Sequence, residues 1–194
     1  LSIYDSDLIS TKPDESLISR IEYRLRILKG AISSSTFYQL GSGMEVKKEF
    51  SYVKVSDGQG VYQWIDRDLN GIELNFADTK GKVVFVNLWA TWCPPCIAEF
   101  QTIQDLYNDY NEKVVFLLVS DESPETIKKF LAKKGYDIQI FNPLTDYPDD
   151  FNASSIPRTY IIDKEGYIVV DKKGAANWSS DAVRQQLDQM IKGF

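Results

Sequence analysis

The chain has no histidine and only two cysteines and two methionines in 194 residues. Histidine is the commonest metal ligand and the usual neutral-pH acid–base group. Without it, and without a third cysteine, the chain alone cannot close a four-ligand zinc site. Positive charge is also short: 22 Lys and Arg stand against 28 Asp and Glu, a formal net charge of −6. That balance argues against nucleic acid and anionic membrane surfaces, both of which attract basic patches, and favours proteins or small molecules as partners. No apolar run approaches the ~18 residues that a membrane span needs, and no signal peptide is visible. The chain opens on Leu1 rather than methionine, so an upstream segment is expected, and a membrane anchor or lipoprotein signal would belong there. What is present suffices for a packed core: 43% of residues are hydrophobic and 13% aromatic. The length accommodates one ordinary domain plus an extension.

Both cysteines lie in Trp89-Ala90-Thr91-Trp92-Cys93-Pro94-Pro95-Cys96. The apolar run Val83-Val84-Phe85-Val86-Asn87-Leu88 leads into it, and Ile97, Phe100, Ile103, Tyr107 and Tyr110 recur after it at helical spacing. The order is strand, tight turn, helix. Cys93 is then the N-cap, Pro94 and Pro95 fill the first helical positions, where a missing N–H costs least, and Cys96 is third. A C-x-x-C at a helix start after a buried strand is a redox motif. The positive end of the helix lowers the pKa of a cysteine held there, and the thiolate is the attacking species in disulfide exchange. Cys93 is therefore the expected nucleophile, and Cys96, one turn on, the resolving thiol. Pro95 has no N–H to offer, which leaves the Cys96 N–H as the local donor to the Cys93 sulfur. One such bond depresses the Cys93 pKa only moderately, suiting a reductant. The residues also fit a structural disulfide, which for so short a loop contributes only about 2 kcal/mol, or a motif retained on a noncatalytic binding module.

Residues 1–13 read as a polar tail. From Asp14 the pattern is helical, with Leu17, Ile18, Ile21, Leu25 and Leu28 on one stripe and Gly30 at the end. A strand is expected within Val46–Val55. Val61–Ile65 and Ile72–Phe76 alternate around a turn at Asn70-Gly71, predicting a hairpin with Asp66–Gly71 as its loop. Val114–Val119 reads as a buried parallel strand reached by a right-handed crossover. Ser123 and Pro124 start a helix that presents Ile127, Phe130 and Leu131 inward and closes at Gly135. A short strand is expected over Ile138–Phe141, then a long loop over Asn142–Ser155. A hairpin, Thr159–Asp163 with Tyr167–Asp171 around Lys164-Glu165-Gly166, precedes a last helix carrying Val183, Leu187, Met190 and Ile191.

From Val61 to Phe194 the chain resembles thioredoxin-like proteins, and more narrowly the extracytoplasmic thiol–disulfide reductases of the TlpA, ResA and CcmG type. The resemblance rests on Gly81–Cys96, Glu99, Ser155-Ile156-Pro157-Arg158-Thr159 and Ile162-Asp163-Lys164-Glu165-Gly166. It implies a cis Ile156–Pro157 bond that sets the Ile156 backbone beside the disulfide, where an extended substrate segment can pair with it. It also implies a proton-shuttling acid at Glu99, on the same helix face as Cys96, with a pKa raised by burial. Asn87 stands where cytosolic thioredoxins carry a buried aspartate, and Glu99 is the obvious substitute. Gln101 departs from the proline often found there in relatives, and Pro94 from their glycine or glutamate. Trp89, Trp92 and Phe85 are candidates to frame a substrate groove or to lie in the core.

The expected fold is α/β and thioredoxin-like: a mixed central sheet with helices on both faces, over residues 61–194, and an N-terminal helical extension over residues 1–60. The expected function is reduction of protein disulfides outside the cytoplasm by the Cys93/Cys96 dithiol. Glu99 shuttles protons, and Trp92, Pro94, Ile156 and Pro157 contact the substrate. The resemblance further implies electrons from a membrane thiol donor and cytochrome c maturation as a destination. No cofactor or metal is implied. Two alternatives are a thiol peroxidase of the same fold and a noncatalytic module binding through the Ile156-Pro157 groove and the 14–30 stripe. The peroxidase pattern has threonine three residues before the reactive cysteine, where this chain has Ala90 (for Cys93) or Cys93 (for Cys96).

Overall fold

The computed structural model describes residues 64–151 and 154–192; the expected helix over 14–30, the strand within 46–55 and residues 61–63 lie outside them. The described elements are β1 (Ile65–Asp68), β2 (Glu73–Asn75), a short 3-10 helix (Phe76–Thr79), β3 (Val83–Leu88), α1 (Pro94–Tyr110), β4 (Val114–Val119), α2 (Pro124–Lys134), β5 (Ile140–Pro143), β6 (Arg158–Ile162), β7 (Ile168–Lys173) and α3 (Asp181–Lys192). The strands form one mixed sheet in the order β2-β1-β5-β4-β3-β6-β7. β4 runs parallel to β3 and to β5, and every other pairing is antiparallel.

Every residue of β3 is buried, as its unbroken apolar run requires, and alternate side chains enter different clusters. Val83 and Phe85 face one with Phe100, Ile103 and Leu106 of α1, Ile127 of α2 and Val183, Leu187 and Met190 of α3. Val84, Val86 and Leu88 face the other, closed by Trp64, Phe76, Phe151 and Tyr160. Helices were expected on both faces, but among the described residues all three α-helices bury their side chains in the first cluster. The crossovers β3-α1-β4 and β4-α2-β5 step the same way across the sheet, and two right-handed crossovers in one direction place their helices on one face. The other face is covered by Trp64 before β1, Phe76 of the 3-10 helix and Phe151 of the loop after β5.

The first hairpin is shifted from its expected place. Its strands are Ile65–Asp68 and Glu73–Asn75, and the turn is confined to Leu69–Ile72. Gly71 takes φ 91°, a conformation that favours glycine. Asp68 Oδ1 accepts from the Asn70 and Ile72 N–H groups and holds the turn. Aspartates read as loop residues because an enclosed carboxylate is costly, yet Trp64, Asp66 and Asp68 continue a buried alternation along β1. β5 likewise begins two residues later than expected, because its register is set by β1: Asp66 pairs with Pro143 and Asp68 with Phe141. The helices α1 and α2 start where their caps dictate. Ser123 accepts from the Thr126 N–H, and Gly135 ends α2 in the left-handed region.

Candidate active site

β3 carries the chain to the site. Past its end the Trp89 N–H still donates to the Val119 carbonyl, and the Cys93 N–H donates to Ala90 in the turn that follows. Cys93 is then the N-cap of α1 with Pro94 and Pro95 in the first turn, and the Cys96 N–H donates to Cys93 Sγ at 3.3 Å. The two sulfurs are joined as a disulfide. The turn before Cys93 is clamped from β4's end: the Glu122 carboxylate accepts the Thr91 N–H and the Thr91 hydroxyl, each at 2.6 Å. Asn142 of β5 in turn donates to the carbonyls of Ser120 and Glu122, fixing the loop that presents the carboxylate.

Beneath the disulfide lies an enclosed polar network. Glu99, one turn beyond Cys96 on α1, is 2% exposed. Its Oε1 accepts from Asn87 Nδ2 at 3.0 Å, and its Oε2 accepts from Trp178 Nε1 at 2.8 Å and from the Ala176 N–H at 3.0 Å. Asn87 also donates to Thr159 Oγ1 at 2.8 Å, tying the network to β6. Burial pushes the Glu99 carboxyl up to about 7, against the opposing pull of these donors and of the Lys172 charge. A carboxyl poised there can both take and give a proton at neutral pH.

The Ile156–Pro157 bond is cis. Because Leu88 pairs with Arg158, Pro157 comes alongside the end of β3 where the chain turns toward the cysteines. Pro157 is buried and Ile156 half-buried, packed against the cluster that contains both cysteines. Trp92, at 69% exposure, and Pro94 are open to solvent on the rim, whereas Trp89 and Phe85 are core residues that do not line a groove. In the disulfide form Cys93 is 3% and Cys96 1% exposed, so the pair is more enclosed than a helix mouth alone predicts. The reason is its packing in the same cluster as Trp89, Phe100 and Ile156.

Of the residues the sequence singled out, the structure joins Cys93 to Cys96, buries Glu99 one turn on, leaves Trp92 and Pro94 on the rim and sets Ile156-Pro157 near the end of β3. Glu122, Thr159, Lys172 and Trp178, which the structure adds around them, were not singled out. Those four lie between 23 and 79 positions from Glu99 in the chain and reach the site only through strand pairing and loop packing. A glutamate just after a buried parallel strand was the one available signal for Glu122, because such strand ends are where sites assemble in open α/β sheets.

Residues 43–189 match the Redoxin family. The chain is 32% identical over 173 residues to the thiol-disulfide oxidoreductase ResA of Bacillus cereus strain ATCC 10987, covering 87% of this chain and 91% of that one. It is 31% identical over 126 residues to the thioredoxin-like protein YneN of Bacillus subtilis strain 168, covering 63% and 72%. Among solved structures, the thioredoxin domain of a thiol-disulfide oxidoreductase from Bacteroides vulgatus superposes with a TM-score of 0.54 at 20% identity, over 73% of this chain and 99% of that one.

Proposed function

The chain belongs to the Redoxin family and is a ResA-type thiol–disulfide oxidoreductase of thioredoxin-like fold, and from that premise we propose how its residues divide the reaction. In the reduced protein, Cys93 is the nucleophile. Its thiolate attacks one sulfur of a substrate disulfide, forming a mixed disulfide, and the other substrate sulfur leaves as a thiolate. Cys96 then gives its proton to Glu99 and attacks the Cys93 sulfur. The Cys93–Cys96 disulfide forms, the mixed disulfide breaks and the second substrate thiolate departs. The substrate gains two electrons and the protein loses two.

The observation that carries this reading is the disulfide at the start of α1 with the Cys96 N–H directed at Cys93 Sγ. The same N–H and the positive end of the helix stabilise a thiolate at Cys93 once the bond is reduced. Cys96, one turn inside, lacks that placement and, three residues before Glu99, shares its helix face. Trp92 and Pro94 on the rim and Ile156-Pro157 beside β3's end form the surface that receives an extended substrate segment.

Protein disulfides are the substrates in general. We assign the reaction to the outside of the cytoplasm, with electrons from a membrane thiol donor and cytochrome c maturation as one destination, as the sequence resemblance implies. Among the described residues no helix is long and apolar enough to cross a membrane. The test is disulfide reduction by the full chain and its cysteine variants. Cys93→Ser abolishes turnover, and Cys96→Ser accumulates mixed disulfides that gel electrophoresis without reductant resolves. A Cys93→Ser variant with undiminished turnover overturns the assignment.

A further inference from the structure

Glu99 shares its enclosure with a second ionisable group. Asn87, Thr159 and Lys172 pair directly in register across β3, β6 and β7, so their side chains leave the same face of the sheet side by side. That is the face α1 covers, and Asn87 bridges Thr159 to Glu99. Lys172, next in the row, is 2% exposed. A lysine is almost never so enclosed without a partner for its charge, and Glu99 is the charged group that acts on it. Its neighbours Asp171 and Lys173 alternate to the other side of β7, where Asp171 is paired with Arg158.

We propose that Lys172 is a positioning residue for the release step: the Asn87–Thr159–Lys172 row holds one enclosed ammonium on the sheet face that Glu99 meets, not in direct ion-pair contact with it, and so helps keep the carboxylate ready to accept the Cys96 proton. The inference rests on Glu99 being the proton acceptor. The proton passes from Cys96 Sγ to Glu99, the electron pair left on sulfur forms the bond to Cys93, and the substrate sulfur leaves with the pair from the bond that breaks. Lys172 neither gains nor loses a proton in this step; it acts on Glu99.

Among the described residues, the groups hydrogen-bonded to Glu99 are uncharged: Asn87 from β3, and the Ala176 N–H and the Trp178 indole from the segment between β7 and α3. Burial drives the Glu99 carboxyl toward its protonated form, and Lys172 supplies the one full charge that resists it. Burial likewise pulls the Lys172 ammonium down, and the Glu99 charge pushes it back. The donors from Trp178, Ala176 and Asn87 do more than Lys172 to hold the charge on Glu99, and the ammonium adds to them. Without the ammonium the Glu99 carboxyl is pushed further up, and less of it is free at neutral pH to accept the Cys96 proton.

The experiment uses the full chain, reduced and freed of reductant, mixed with excess disulfide-bonded peptide. Peptide thiol release is followed from about pH 5 to about pH 9, where the acid limb reports the required base. In Lys172→Met the limb moves upward by about one pH unit, as expected for loss of an adjacent opposite charge. Lys172→Arg restores the parent limb, and in a Glu99→Gln background Lys172→Met shifts nothing. Carbon NMR titration of the Glu99 carboxyl gives the same comparison without turnover. If Glu99→Gln alters the limb but Lys172→Met leaves both it and the carboxyl titration in place, the role given to Lys172 falls and Glu99 keeps its own. If Glu99→Gln keeps the parent limb, the proton-acceptor reading itself falls, and this inference with it.

Discussion

Asp66 stands in the middle of β1 with both carboxylate oxygens enclosed and, among the described residues, without a hydrogen-bond partner. Its strand neighbours on that face are Leu74 and Pro143, and neither can donate to it. Burial accordingly pushes its pKa up to about 8. In the unfolded chain the same group ionises near 4, so between these values the native state binds a proton that the unfolded state does not. Stability then falls as pH rises through that window. Asp66→Asn keeps the shape and removes the charge. Denaturant unfolding should find it more stable than the parent by about 1–3 kcal/mol near pH 8 and close to the parent near pH 4. Equal differences at the two pH values would exclude ionisation of Asp66 as the cause. Glu99 carries a similar burial but was legible, because it sits one turn beyond Cys96 on a helix whose register the motif sets. Asp66 was read as part of a loop, because its residue type speaks for a turn and only its strand partners reveal that it is enclosed.

The elements that hold the site are joined by side chains from loops. α1 begins at Cys93 by its own capping, but the turn before it is fixed by Glu122, which follows β4 and accepts both the N–H and the hydroxyl of Thr91. Hydrogen bonds to a charged acceptor are worth about 1.5–3 kcal/mol each, and the half-buried setting of Thr91 and Glu122 reduces that. Glu122→Ala is expected to cost about 1–3 kcal/mol in unfolding free energy. It should also slow disulfide reduction by about tenfold, since misplacing a reacting group by a fraction of an ångström is costly. The Cys93–Cys96 pair should still close, because α1 and its cap are untouched. A variant with parent stability and parent rate would show that the clamp does not position the turn. α1, α2 and α3 were readable at their starts or along their apolar stripes, and β3 and β4 from their unbroken apolar runs. β1 and β5 were read as strands but with shifted bounds, since each short strand is defined by its neighbour and Pro143 at the end of β5 reads in isolation as a breaker.

For the molecule as a whole, Asp66 and Glu99 act in the same direction. Both native carboxyls titrate far above their unfolded values, at about 8 and about 7, so the native chain takes up protons as pH falls from about 8 toward about 4 and gains stability. Asp68 opposes this at the acid end. Burial is the largest single influence on it and raises its carboxyl, but the Ile72 and Asn70 N–H groups and the Gln139 and Asn70 side chains together outweigh burial and hold the carboxyl below the usual range. Its contribution is present above its unfolded pKa and is lost as pH falls through its native one. Stability measured by denaturant should therefore peak near about pH 5 and decline toward both pH 3 and pH 8. A maximum at or above pH 7 would mean that the two buried carboxyls do not carry the proton uptake assigned to them.

The sequence by itself determined what depends on neighbours along the chain. A buried strand ending in a tight turn, a cysteine at a helix start, two prolines where N–H groups are expendable and a second cysteine one turn on require only the local geometry of a strand and a helix. Which groups surround that pair was decided by tertiary structure. Lys172, Thr159 and Trp178 reach Glu99 through strand register and a packed loop, and Glu122 reaches Thr91 across the ends of neighbouring strands. Register is set by the whole sheet, since displacing a strand by one residue sends each of its side chains to the opposite face. No stretch of sequence read alone can therefore say which ammonium lies beside which carboxylate.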